Sequence, residues 1–170
     1  VEHWAERLQS QSVAATPYHA GLNPATRQAA LTQFLEHERP VLVATVAFGM
    51  GVDRGDVGLV LHLDLPATSE GYLQESGRAG RDGLPARCLV LFSPGDRTSL
   101  GWAMQAAARR GTNPDERHRL DLAQQQFRQM EAVAEGEMCR EQALLLAVGE
   151  LVDPWGRWDR CCASPKRKEW

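Results

Sequence analysis

At 170 residues and 43% hydrophobic, the chain is long enough to bury a sizeable core as one domain, or as one domain with a small appendage, which excludes a miniprotein. A net charge of −3 carries no global basic excess, so any nucleic-acid surface has to be a local patch. No apolar run approaches the roughly 20 residues that cross a bilayer, and the opening "VEHWAERLQSQ" lacks a basic end followed by an apolar stretch; we expect a cytoplasmic protein with no membrane contact.

The chain begins inside an amphipathic pattern carried by Trp4 and Leu8, and the expectation is a longer parent product. "SVAATPYHAGL" then predicts a short strand and a loop. Helical spacing restarts in "NPATRQAALTQFLEHE" through Ala30, Leu31, Phe34 and Leu35, with Asn23 as N-cap and Pro24 at the first helical position. The apolar runs Val41–Val46 and Val57–Leu65, the second ended by Pro66, read as buried strands of a parallel sheet covered on both faces, with His62 in the core.

"ATSEGYLQESGRAGRDG" predicts a helix capped by Thr68 or Ser69, and "ARCLVLFSP" a further buried strand in which Cys88 is a small core residue. Strands alternating with helices predict an open α/β domain over residues 1–97. From Arg97 the texture becomes helical, in "TSLGWAMQAAARRG", "PDERHRLDLAQQQFRQMEAVAEG" and "EMCREQALLLAVGEL", before an irregular tail with a basic end. Residues 98–170 are therefore expected to form a small helical subdomain. Cys88, Cys139, Cys161 and Cys162 follow no disulfide framework, so reduced thiols are expected.

Two stretches fall at the carboxyl ends of expected strands, where open parallel sheets collect ligands. In "ATVAFGMGVD", Gly49 and Gly51 permit a tight backbone path with amides turned to a phosphate, and Asp53 follows; a plain glycine turn is the alternative. In "YLQESGRAGRDG", Gln74, Arg78 and Arg81 recur at i, i+4 and i+7, so one helix face would present an amide and two guanidiniums while Gly77, Ala79 and Gly80 keep the backbone thin. The alternative is a solvated helix end stopped by Gly83. Guanidinium forks suit phosphate oxygens, and merely solvated side chains would leave each interposed glycine costing about 1 kcal/mol without return.

Taken in order, "PYHAGL", "VLVATVAFGMGVDRGDV", "LHLDLP" and "YLQESGRAGRDGLPARCLVLF" resemble the carboxyl-side RecA-like lobe of the RecQ family of superfamily 2 DNA helicases. The resemblance implies an α/β fold, a RecA-like parallel sheet with flanking helices as in the second lobe of P-loop NTPase helicases, followed by the small helical subdomain. It implies that 44–53 is helicase motif V, with Thr45 near the nucleic-acid backbone, Gly49 and Gly51 near nucleotide, and Asp53 near nucleotide or the motif VI helix. It makes 74–81 motif VI, with Arg81 as an arginine finger on the ATP γ-phosphate, Arg78 supporting it and Gln74 beside them. Tyr18, His19 and Gly21 resemble motif IVa, on the nucleic-acid side.

The same resemblance implies ATP and Mg shared with an amino-terminal RecA-like lobe, DNA as partner, and 3′-to-5′ unwinding for recombination and repair. Four departures qualify it. No G-x-x-x-x-G-K-[ST] and no D-E-x-H occurs in these residues, so phosphate cradling and Mg²⁺ binding must come from elsewhere. "RGDV" stands where the family carries lysine or asparagine followed by proline, so Arg54 keeps the charge while Gly55 loosens the turn. A strand carrying motif IV is missing before the opening helix, which should expose a sheet edge or a stretch of core. In the zinc-binding subdomain Cys139 and Cys161 match two ligand positions, but Trp155 and Trp158 occupy the other two, and indole donates nothing to a metal; zinc is not expected. A non-catalytic remnant or adaptor that binds nucleic acid or a partner without ATP turnover is the alternative function. A dinucleotide-binding oxidoreductase fits poorly, because a strand and not a helix follows the glycine loop.

Overall fold

The computed structural model describes residues 1–45, 54–93, 95, 114–136 and 139–150. They divide into two compact units, residues 1–57 with 80–84, and residues 58–79 with 85 onward. The expected boundary between 97 and 98 lies outside the described residues.

In the first unit, helix α1 (Glu2–Gln9) ends in a turn at which Ser12 takes a positive φ of 62° and the amide of Val13 donates back to the carbonyl of Leu8, 3.1 Å. Strand β1 (Ala15–Tyr18) and strand β2 (Val41–Ala44) pair in parallel, Ala15 opposite Val41 and Tyr18 opposite Ala44. Between them runs helix α2 (Pro24–Glu36), started as its sequence predicts: Asn23 Oδ1 accepts the amide of Thr26 at 2.9 Å and Pro24 occupies the first turn. Both helices pack against β1, burying Ala5, Ala15, Ala30 and Phe34.

Among the described residues β1 pairs only with β2, and its other edge is blunted. The carbonyls of Ala14 and Tyr18 receive amides from β2 and the residue after it, so alternation turns Ala15 and Pro17 to the opposite edge. There the carbonyl of Ala15 accepts Gln9 Nε2 at 2.7 Å, its amide bonds Val13, and Pro17 has no N–H to offer.

In the second unit, strand β3 (Leu59–His62) pairs in parallel with strand β4 (Arg87–Val90). Helix α3 (Ser69–Ser76) is capped by Thr68, whose Oγ1 accepts the amide of Gly71 at 3.0 Å. Helices α4 (Pro114–Glu135) and α5 (Arg140–Ala147) follow, the second stopped by Gly149 at φ 83°. The core forms where α4 meets this unit: Leu65, Phe127, Met130 and Val133 are buried, ringed by Tyr72, Val90, Phe92, Ala134, Ala143 and Leu144.

The strands differ from expectation in burial. Leu59 and Leu61 on β3 and Leu89 on β4, with Leu91 just past it, share one face and are 45–52% exposed. The other face, with Val90, meets the core. Among the described residues the leucine face of β3 and β4 has no element packed over it, so only one face of this pair is covered. Cys88, expected inside, is exposed; its Sγ turns toward the carbonyl of Ser76 at 3.6 Å, and partial burial raises its pKa.

Candidate functional site

In the first unit, parallel pairing brings the carboxyl ends of β1 and β2 together, with the amide of Thr45 on the carbonyl of Tyr18 at 3.3 Å. Thr45 is exposed and Tyr18 half-buried at that end. His19 follows, and its Nε2 lies 2.9 Å from Glu2 Oε1; a phosphate reaching this ring nitrogen has to displace a carboxylate. Gly21 leaves room for the imidazole: a Cβ on it would stand 3.1 Å from His19 Nδ1, close enough that the ring would have to shift by a few tenths of an ångström. Gly49, Gly51 and Asp53 lie outside the described residues.

The chain re-enters at Arg54, which sequence reading saw only as a retained charge. Its side chain is 12% exposed and makes a fork with Asp56, Nε to Oδ1 at 2.6 Å and Nη2 to Oδ2 at 2.9 Å. Its Nη1 donates to carbonyls at the end of α2: Phe34, Leu35 at 3.4 Å and His37 at 3.0 Å. The guanidinium thus caps the negative end of the helix dipole, with Cζ 5.5 Å from the Phe34 ring centroid. No sequence signal reveals this, because the capped carbonyls are seventeen to twenty residues away.

The helix expected to carry Gln74, Arg78 and Arg81 on one face stops at Ser76. Gly77 is its C-cap, and Arg78 and Arg81 lie in the turns beyond. Gly77 sits so close to the last turn that a Cβ would stand 2.8 Å from the Leu73 carbonyl, and Gly80 and Gly83 take φ of 64° and 81°, outside helical space for other residues. Gln74 is exposed on α3 and Arg78 half-buried after it, both in the second unit. The amide of Arg78 donates to the carbonyl of Glu75, whose Oε2 lies 2.7 Å from His62 Nε2. The strand histidine read as core is thus also a polar anchor.

Arg81 belongs to the first unit. It is exposed at the corner of a tight turn closed by the Gly83 amide on the Gly80 carbonyl, 3.0 Å. Its two chain neighbours tie that turn to the segment after Arg54: the amide of Gly80 donates to Val57 and the amide of Asp82 to Gly55, at 3.0 and 3.2 Å. An exposed guanidinium on so fixed a turn is suited to the oxygens of a phosphate.

Cys139 is the N-cap residue of α5, and Cys88 is a free thiol. Cys161, Trp155 and Trp158 lie outside the described residues. No described helix is long and apolar enough to cross a membrane.

A family model described as the helicase conserved C-terminal domain matches residues 1–83. The ATP-dependent DNA helicase RecQ of Haemophilus influenzae is 36% identical over 98% of this chain, which covers 26% of that protein. ATP-dependent DNA helicase Q5 of Rattus norvegicus is 36% identical over 96% of this chain and 17% of its own length; RecQ of Bacillus subtilis is 39% identical over 92% and 25%. The chain thus spans about a quarter or less of these relatives' length. Among solved structures, the crystal structure of the E. coli DEAD-box protein SrmB bound to regulator of ribonuclease activity A superposes with a TM-score of 0.52 at 26% identity, covering 62% of each chain. The α/β class with parallel strands is that of a RecA-like helicase C-terminal domain. In sequence, through its helicase C-terminal domain match and its relatives, the chain belongs to the RecQ family of superfamily 2 helicases.

Proposed function

We propose that this chain is the second motor lobe of an ATP-dependent 3′-to-5′ DNA helicase acting in recombination and repair, with residues 1–97 as the RecA-like lobe and 98–170 as its helical subdomain. An amino-terminal lobe supplies the phosphate cradle and the Mg²⁺ ligands, and ATP sits between the two. Arg81 is the arginine finger that meets charge developing on the γ-phosphoryl group, with Arg78 and Gln74 on the same motif. Gly49, Gly51 and Asp53 serve the nucleotide side. Thr45, Tyr18, His19 and Gly21 serve the DNA backbone.

The observation that carries this reading is Arg81 itself, exposed at the corner of a turn fixed by two backbone bonds. The test mixes the 170-residue chain with the isolated amino-terminal lobe of a RecQ relative, ATP, Mg²⁺ and single-stranded DNA. Hydrolysis is expected to appear on mixing and to fall about 10³-fold with Arg81→Ala, the low end of what arginine fingers contribute. Folded lobes that associate without hydrolysis would overturn the motor reading and leave a non-catalytic adaptor.

A further inference from the structure

We propose that Arg54 is a positioning residue for Arg81. The proposal deepens the motor reading and rests on it for its kinetic consequence, though its geometric content stands alone.

Arg81 does not inherit its direction from a helix, because α3 ended at Ser76. Its backbone is fixed by the Gly80 amide on the Val57 carbonyl and the Asp82 amide on the Gly55 carbonyl, one bond on each side. Residues 55–57 are therefore the platform, and they belong to neither strand nor helix. A glycine at its start, without the proline expected there, gives it no stiffness of its own.

Arg54 supplies that stiffness. Its fork holds Asp56, two residues on, in bidentate geometry, while Nη1 rests on the carbonyls that end α2. One side chain at 12% exposure thus clamps both the platform and the nearest rigid element, and the platform's two carbonyls receive the amides flanking Arg81. A lysine at 54 would keep the charge but could not fork onto Asp56 and reach the helix end together.

The test has two arms. In the 170-residue chain, hydrogen exchange is read at the amides of Gly80 and Asp82, with Thr45 as a reference in the same unit. Arg54→Ala and Arg54→Lys are both expected to speed exchange at Gly80 and Asp82 by tenfold or more while Thr45 keeps its protection. The second arm is the DNA-stimulated hydrolysis of the reconstituted lobes. There Arg54→Lys should lower kcat by about 10²-fold, the scale of an ångström of misplacement, with little change in KM for ATP. In an Arg81→Ala background the same substitution should cost almost nothing further, because a residue that acts only through Arg81 has nothing left to position.

Unchanged exchange at Gly80 and Asp82 in folded Arg54→Lys protein would overturn the proposal. So would a full additional loss in the Arg81→Ala background, which marks a general structural role. Absence of hydrolysis in the unsubstituted pair would sink the motor reading alone, and the exchange arm would still decide whether Arg54 fixes the turn.

Discussion

His62 Nε2 lies 2.7 Å from Glu75 Oε2, tying the end of β3 to the last turn of α3. The imidazole is also tilted against the Tyr72 ring, centroids 5.3 Å apart, and its Nδ1 is buried without a partner among the described residues. That places the donated proton on Nε2. A charge-assisted bond of this kind contributes about 1.5–3 kcal/mol, and an unsatisfied acceptor gives part of it back. We predict that His62→Leu lowers unfolding free energy by about 1–2 kcal/mol in urea titration. His62→Gln, which can still present a donor to Glu75, should recover part of the loss; equal values for both variants would deny the bond any role.

Two exposed carboxyls contribute to the acid side of stability. The bond from His19 Nε2 holds Glu2 below its usual value, and the Arg54 fork does the same for Asp56. A depressed folded pKa means that the native state holds fewer protons than the unfolded chain across the carboxylate range. Stability therefore rises with pH there: it is complete above the unfolded values near 4 and is lost as pH falls through the folded ones. Thermal midpoints between about pH 2.5 and 7 should climb and level off, and Asp56→Asn should flatten part of that climb. Both carboxylates are more than half exposed, so added salt should shrink the effect.

Gly77 separates two readings of the motif by sign. In a helix continuing through Arg81, Gly77→Ala would stabilise by up to about 1 kcal/mol. In the observed C-cap, the new methyl meets the Leu73 carbonyl at 2.8 Å, and relieving that contact costs about 1–3 kcal/mol. Denaturant midpoints of Gly77→Ala and the unsubstituted chain decide it, and a stabilised variant would restore the continuous helix.

What the sequence made legible was local. Asn23 and Thr68 cap their helices as expected because a cap is a bond between residues two or three apart. Among the described residues β2 and β3 fall inside the apolar runs that announced them, and β1 and β4 inside the segments expected to hold strands. The helix end at Ser76 was harder to read, since Gln74, Arg78 and Arg81 fit helical spacing whether or not the backbone follows it. Positive φ at Gly80 breaks that spacing, and periodicity of side chains carries no information about φ. Arg54 and His62 were missed as anchors for a different reason. The helix-end carbonyls that Arg54 meets and the carboxylate that His62 meets are thirteen to twenty residues away, at distances that the fold alone closes.

The apolar faces provide the last test. Leu61 and Leu89 lie opposite each other on β3 and β4, and both are nearly half exposed, whereas Met130 and Phe127 on α4 are 2% and 5% exposed in the core of the same unit. Truncation removes similar apolar volume at each place, but only the core positions lose a packed environment. Met130→Ala should therefore cost about 2–5 kcal/mol and Phe127→Ala about 3–5. Leu61→Thr and Leu89→Thr should cost only about 1 kcal/mol each, since threonine suits a strand and each leucine is already nearly half exposed. The same two substitutions should raise solubility, because a row of exposed leucines on a two-stranded sheet invites association. If Leu61→Thr instead costs as much as Met130→Ala, the leucine face is covered in solution, and β3 and β4 are buried on both sides as their unbroken apolar runs imply.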